Sequence, residues 1–221
     1  MTGQSALDWR GEVPVSTRFD DPYFSLDNGF AETRHVFLDG NGLPERFRDG
    51  FHIAELGFGT GMNLLAALLL WRQAGKPGPL TFTTFEAYPL SGPEMIRAQA
   101  AFPDVAEVTA ELAPFWHADA HRIDLPDLRF EMIVGDARQT LPLWQNKADA
   151  WFLDGFSPAK NPELWDPSLM RAVADHTNPG GTAATYTAAG HVRRSLAEAG
   201  FTVVRARGYG RKRHMTQARM G

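Results

Sequence analysis

"FHIAELGFGTGMNLLAALLLWRQAG", residues 51–75, reads as an apolar strand, a turn with three glycines in five positions, and a long apolar helix closed by Gly75. A turn of this kind aims backbone N–H groups and the positive end of a helix at the carboxyl edge of a sheet, where a small polar ligand can sit. The same rhythm repeats downstream. LTFTTFEA (80–87) alternates Thr with Phe as a strand does, and SGPEMIRAQAAF (91–102) supplies a helix start at Ser91 with a proline in its first turn. LRFEMIVGD (128–136) and ADAWFLDGF (148–156) read as further strands, PELWDPSLMRAVADHT (162–177) as a helix, GGTAATYT (180–187) as a strand and GHVRRSLAEAG (190–200) as a helix. FTVVRARG and HMTQARM pair as a closing antiparallel hairpin. Strands alternating with helices predict an α/β fold with a doubly wound, mostly parallel sheet. HADAHRIDLPDLRF (117–130) breaks the rhythm, so an inserted hairpin or loop is expected near 112–130. Residues 1–50 show no long periodic segment and read as an N-terminal extension packed on a 51–221 core, the 221 residues forming a single domain.

Composition narrows the chemistry. The chain has no cysteine, which excludes disulfides, zinc–thiolate sites and any thiolate nucleophile. The first twenty residues lack a basic start and an apolar core, and the longest greasy run, LLAALLLW (64–71), is too short to span a bilayer, so a cytoplasmic protein without membrane contact is expected. The net charge of −4 is unevenly spread: residues 191–221 carry eight Arg or Lys against Glu198, a net of +7, leaving −11 for the rest. That basic end suits an anion, and it equally suits a solvated tail. His117 and His121 lack a third ligand partner, so no metal site is expected.

The glycines Gly57, Gly59 and Gly61 read G-x-G-x-G, which fits neither the G-x-G-x-x-G dinucleotide fingerprint nor a P-loop. Glu86 ends the second strand, placed to accept two ribose hydroxyls, and Asp136 ends the third, within reach of an adenine amino group. E-x-G-x-G-x-G resembles motif I of the class I S-adenosylmethionine-dependent methyltransferases, a Rossmann-like fold. The resemblance implies that Glu55, Gly57, Gly59, Gly61 and Asn63 surround the methionine part of the cofactor.

PVSTRFDDPYFSLDNGFAETRHVFLDGN (14–41), AELGFGTGMN (54–63), FEAYPL (85–90), DAWFLDGFSPAKNPELW (149–165), GHVRRSLAEAGF (190–201) and GYGRKRHM (208–215) together resemble the methyltransferase part of the MnmC family of tRNA 5-methylaminomethyl-2-thiouridine biosynthesis proteins. Met62, His35 and Ser157 depart from the family pattern, and none of them is a charged site residue. The resemblance implies methyl transfer from S-adenosylmethionine to the exocyclic amine of 5-aminomethyl-(2-thio)uridine at the tRNA wobble position. An amine is already a nucleophile, so the reaction needs no cysteine. Asp154 is the candidate catalytic residue, orienting the amine or accepting its proton. Phe156 either lies against a cation or packs the loop, and Pro158 stiffens that loop. Phe156, Pro158, Lys160, Arg193, Arg194, Arg211, Lys212 and Arg213 are the candidate substrate or RNA contacts. Larger family members continue into a flavin-dependent oxidase domain. No flavin fingerprint occurs here, so the expectation is one activity without FAD, with a separate enzyme supplying the aminomethyl-uridine. Two rival readings are a class I methyltransferase or aminopropyltransferase acting on a small-molecule or protein amine, and a non-catalytic tRNA-binding module.

Overall fold

The computed structural model describes residues 7–25 and 28–221, so the expected extension falls partly, at residues 1–6 and at Leu26 and Asp27, outside the described residues. The described chain opens with a small antiparallel sheet of β1 (Leu7–Arg10), β2 (Val13–Ser16) and β3 (Asp21–Pro22). A short helix, α1 (Gly29–Thr33), comes next; the Asn28 side chain accepts the Ala31 N–H and caps it. It runs on through a π turn (Arg34–Leu38) and a 3-10 turn (Asp39–Asn41). Elements this short carry no readable period, which is why the sequence showed none here.

The alternating part then unfolds largely as its periodicity predicts. β4 (His52–Leu56) leads to α2 (Met62–Gln73), and β5 (Leu80–Glu86) to α3 (Gly92–Gln99). Ser91 and Glu94 form a reciprocal capping box at the start of α3. A further helix, α4 (Ala106–His117), was not expected: Pro114 lies inside it and masked the spacing of its buried Val108, Leu112 and Trp116. The insertion foreseen near 112–130 is therefore helix up to His117, and hairpin only in β6 (Arg122–Leu125) with the start of β7 (Leu128–Val134).

After a short α5 (Ala137–Thr140) come β8 (Ala148–Leu153), α6 (Pro167–Asp175), β9 (Thr177–Thr185) and α7 (Gly190–Glu198). The helix expected over 162–177 is split, because Asp166 caps α6 and leaves Pro162–Trp165 as a 3-10 turn. β10 (Phe201–Arg207) and β11 (His214–Met220) form the closing hairpin.

The main sheet has the order β10-β11-β9-β8-β4-β5-β7-β6, with β10, β9, β8, β4, β5 and β7 running in one direction and β11 and β6 against it. From β4 the chain winds one way to β7, then returns to β8 and winds the other way. A crevice therefore opens at the carboxyl ends of β4 and β8, where the winding reverses. Helix α2 is apolar on nearly every side, so one sheet face cannot bury it alone. Phe30, Val36, Phe37, Leu38, Leu43 and Phe47 of the N-terminal segment complete its cover, and the Phe47 and Trp71 rings meet edge to face at 5.0 Å. A second apolar cluster, including Trp151, Leu169, Val173 and Leu196, fills the opposite face. Among the described residues no helix is long and apolar enough to cross a membrane.

Candidate active site

A cavity of about 860 Å³ lies at the carboxyl edge of the sheet. Its floor is the junction of β4 and β8. The Asp154 N–H donates to the Leu56 carbonyl at 3.1 Å, bringing the two strand ends together. Gly57 sits there at φ +83, and a Cβ on it would lie 2.5 Å from the Asp154 carbonyl oxygen, so no other residue fits without moving a strand. Gly61, at φ +76, begins α2 beneath the surface and is not part of the lining, whereas Gly57 and Gly59 are.

Asp154 projects from the end of β8 into the cavity. One carboxylate oxygen accepts the Gly155 N–H at 2.8 Å, the other the Asn63 amide at 2.9 Å. Burial pushes its pKa up to about 6, against the pull of those two donors and of the Lys212 charge. Asn63 also donates, at 2.8 Å, to Glu55, whose second oxygen accepts the Thr84 hydroxyl at 2.8 Å. Glu55 is fully buried, its pKa is driven well above the carboxylate range by desolvation, and it does not line the cavity. The expected cofactor contact at Glu55 is thus corrected: it supports Asn63 and Asp154 from below.

Glu86 does line the cavity, at the end of β5. One of its oxygens accepts the N–H groups of Phe58 (2.9 Å) and Gly59 (3.2 Å), and the other accepts that of Tyr88 (2.7 Å). The glycine turn is therefore held by the same acid expected to meet a ribose. Asp136 also lines the cavity, but its carboxylate caps α5 through the Arg138 N–H and ion-pairs the Arg138 guanidinium at 2.6 Å, which lowers its pKa. The adenine contact expected of Asp136 must share the acid with Arg138.

The wall facing the glycine turn comes from the N-terminal segment, which sequence reasoning did not place in the site. Phe156 stacks on Phe19 at 4.8 Å and meets Tyr23 edge-on at 5.0 Å, so it packs the wall as well as lining the cavity. The Ser157 N–H donates to Asp21, and Lys160 binds the Asp21 carboxylate at 3.2 Å together with the Asp20 carbonyl. Lys160, expected to meet RNA, instead ties this loop to the N-terminal strap. Pro158 lies in the same loop outside the lining. Tyr186, also missed, sits just past β9 and donates its hydroxyl to the Gly155 carbonyl at 2.8 Å. A tyrosine just past a strand end in "ATYT" was the available signal.

The basic residues do not gather as one group. Lys212 reaches from the β10–β11 turn to the cavity rim with its side chain 48% exposed, and Arg211 and Arg213 on either side of it are exposed too. Arg194 is exposed on α7, and Arg193 is partly buried, donating to the Ala188 carbonyl at 3.3 Å. Among the described residues no three His, Asp or Glu are placed to hold a metal ion. The cavity's size, the bare glycine turn at its floor and the Glu86 carboxylate on its wall suit a nucleoside carrying an amino-acid tail and no phosphate.

Comparison with known proteins agrees. The signature of a family described as S-adenosyl-L-methionine-dependent methyltransferase matches residues 101–221. The tRNA 5-methylaminomethyl-2-thiouridine biosynthesis bifunctional protein MnmC of Caulobacter vibrioides is 46% identical over 226 residues, covering 98% of this chain and 38% of that protein. The protein of the same name from Aliivibrio fischeri is 41% identical over 96% of this chain and 34% of its own length. The chain thus spans little more than a third of these curated relatives. The crystal structure of MNMC2 from Aquifex aeolicus superposes with a TM-score of 0.82 at 27% identity, covering 99% of this chain and 71% of that one.

Proposed function

The chain belongs to the S-adenosyl-L-methionine-dependent methyltransferases, and from that membership we propose that it methylates the exocyclic amine of 5-aminomethyl-(2-thio)uridine at the tRNA wobble position. S-Adenosylmethionine, when bound, supplies an electrophilic methyl group on a sulfonium. Gly57, Gly59, Asn63 and Glu86 are the residues placed to hold it. The observation that carries the acceptor assignment is Asp154: a carboxylate at the cavity floor whose surroundings raise its pKa to about 6. An alkylammonium with a lysine-like pKa of about 10.4 is neutral in roughly one molecule in a few thousand at pH 7, so the acceptor has to give up a proton before its lone pair can react. Asp154 accepts a hydrogen bond from the nitrogen, aims the lone pair, and takes that proton. Asn63 and the Gly155 N–H fix the carboxylate's direction, and the Phe19–Tyr23–Phe156 wall excludes water.

The amine is its own nucleophile, so this chemistry calls on neither a metal nor FAD. A separate catalytic unit then supplies the aminomethyl group, and a tRNA substrate places the reaction in the cytoplasm. The basic tip around Lys212 favours RNA over a free small-molecule amine. Transfer of labelled methyl to tRNA bearing the aminomethyl group, with nucleoside analysis of the product, tests the reading. Label recovered as 5-methylaminomethyl-(2-thio)uridine supports it, and label confined to other nucleosides or absent from the RNA overturns it.

A further inference from the structure

One corner of the cavity already holds a cation. The Lys212 ammonium lies 2.7 Å from a Glu32 carboxylate oxygen and 4.3 Å from the centre of the Tyr186 ring. Glu32 comes from α1, Tyr186 from the end of β9 and Lys212 from the β10–β11 turn, so three distant segments converge on the point. The Glu32 side chain is only 15% exposed there, and all three residues line the cavity that Asp154 occupies. A carboxylate shielded from water beside an aromatic face is a host for an alkylammonium: the ring's negative face and the acid both attract the charge. Lysine's side chain ends in the same group, a primary alkylammonium, as the protonated aminomethyl acceptor.

Building on the methyltransferase reading above, we propose that Glu32 and Tyr186 form the acceptor's ammonium subsite, and that Lys212 holds this subsite until an RNA phosphate draws it away. The turn that carries Lys212 also carries exposed Arg211 and Arg213, so RNA reaching the tip meets all three cations together. Lys212 leaving its pocket gives up one ion pair and one ring contact and gains a phosphate, an exchange of like interactions that a polyanion can drive. The vacated acid and ring then receive the aminomethyl ammonium. Its N–H proton passes to the Asp154 carboxylate, the nitrogen keeps the electron pair, and no other bond breaks. The Lys212 charge lowers the Asp154 pKa and the Glu32 charge raises it, and the acceptor's ammonium takes over the first of these roles when it replaces Lys212. The pair selects a primary amine over a hydroxyl or a neutral ring, since those offer no charge to Glu32.

The test needs no turnover. Binding is measured for two tRNAs, identical except that one bears 5-aminomethyluridine and the other plain uridine at the wobble position. The wild type should prefer the aminomethyl form by about tenfold, the worth of one charge-assisted hydrogen bond. Glu32→Gln should bring that ratio close to one, with S-adenosylmethionine affinity unchanged by calorimetry. Lys212→Met removes the internal competitor, so the free 5-aminomethyluridine nucleoside should bind this variant more tightly than the wild type. A preserved ratio in Glu32→Gln, or unchanged nucleoside affinity in Lys212→Met, overturns the subsite. Failure of methyl transfer by the wild type would instead strike the parent reading, because the binding ratio is read independently of turnover.

Discussion

At Asp154 function and stability pull in opposite directions. Its folded-state pKa is raised above the ordinary carboxylate value of about 3.9, so the folded state binds the proton more tightly than the unfolded chain does. The resulting stabilisation is complete below about pH 4 and is lost as the pH rises through about 6. Asp154→Asn is free of that loss: urea unfolding should show the variant gaining on the wild type between pH 4 and 6, by about 3 kcal/mol, and holding that gain above. Activity runs the other way. The rate should rise through an apparent pKa near 6 in the wild type, and Asp154→Asn should lower it a hundredfold or more while tRNA affinity changes little. Near-normal single-turnover transfer by the variant would remove Asp154 from the chemistry. Glu86→Ala withdraws the acceptor of three backbone N–H groups as well as a proposed ribose contact. S-Adenosylmethionine binding should therefore weaken at least tenfold, accompanied by a lower melting temperature. Unchanged affinity in calorimetry would reassign Glu86 to holding the turn alone. The acids at strand ends were legible in the sequence because a strand's carboxyl end is a fixed place in this fold. Their hydrogen-bond partners were not, since Arg138 and the Phe58 and Gly59 amides reach Asp136 and Glu86 through turn geometry that no periodicity encodes.

Among the elements, the β4 turn carries a constraint that bears directly on the cavity. Gly57→Ala forces a Cβ against the Asp154 carbonyl at positive φ, so the β4–β8 junction has to part. We expect a loss of about 2 to 4 kcal/mol in stability, read by chemical denaturation, together with loss of cofactor affinity. A stable variant that binds normally would show that the junction has slack. This element was readable because glycine spacing and two flanking apolar runs agree. The N-terminal wall was not: β2, β3 and α1 are two to five residues long, and Phe19 and Tyr23, in the turns beside β3, meet Phe156 across more than 130 residues of sequence. α4 lay between these cases, its stripe of Val108, Leu112 and Trp116 present but interrupted by Pro114.

For the molecule as a whole, the proposed reaction ties substrate choice to charge distribution. The cavity is lined by Asp21, Glu32, Glu86, Asp136, Asp154 and Glu163 against Arg18, Arg138 and Lys212, and the basic tip stands at its edge. A tRNA bearing the anionic carboxymethylaminomethyl group should accept essentially no methyl under conditions where the aminomethyl form is converted, with both digests read by mass spectrometry. Comparable methylation of the two would refute the acidic pocket as a filter. Neutralising Arg211 and Arg213 should flatten the salt dependence of tRNA binding by up to about one log-log unit per lost phosphate contact. An unaltered slope would return the pair to ordinary solvated surface. The sheet order also has a bearing on how the protein is made. β11 lies between β9 and β10, so during synthesis β10 emerges from the ribosome ahead of the strand that joins it to the sheet. A chain truncated ahead of His214 carries an open edge on β9 and an unpaired β10. Protease resistance of ribosome-bound chains, extended by a C-terminal linker that spans the exit tunnel, should consequently appear in one late step, once residues 214–220 have emerged.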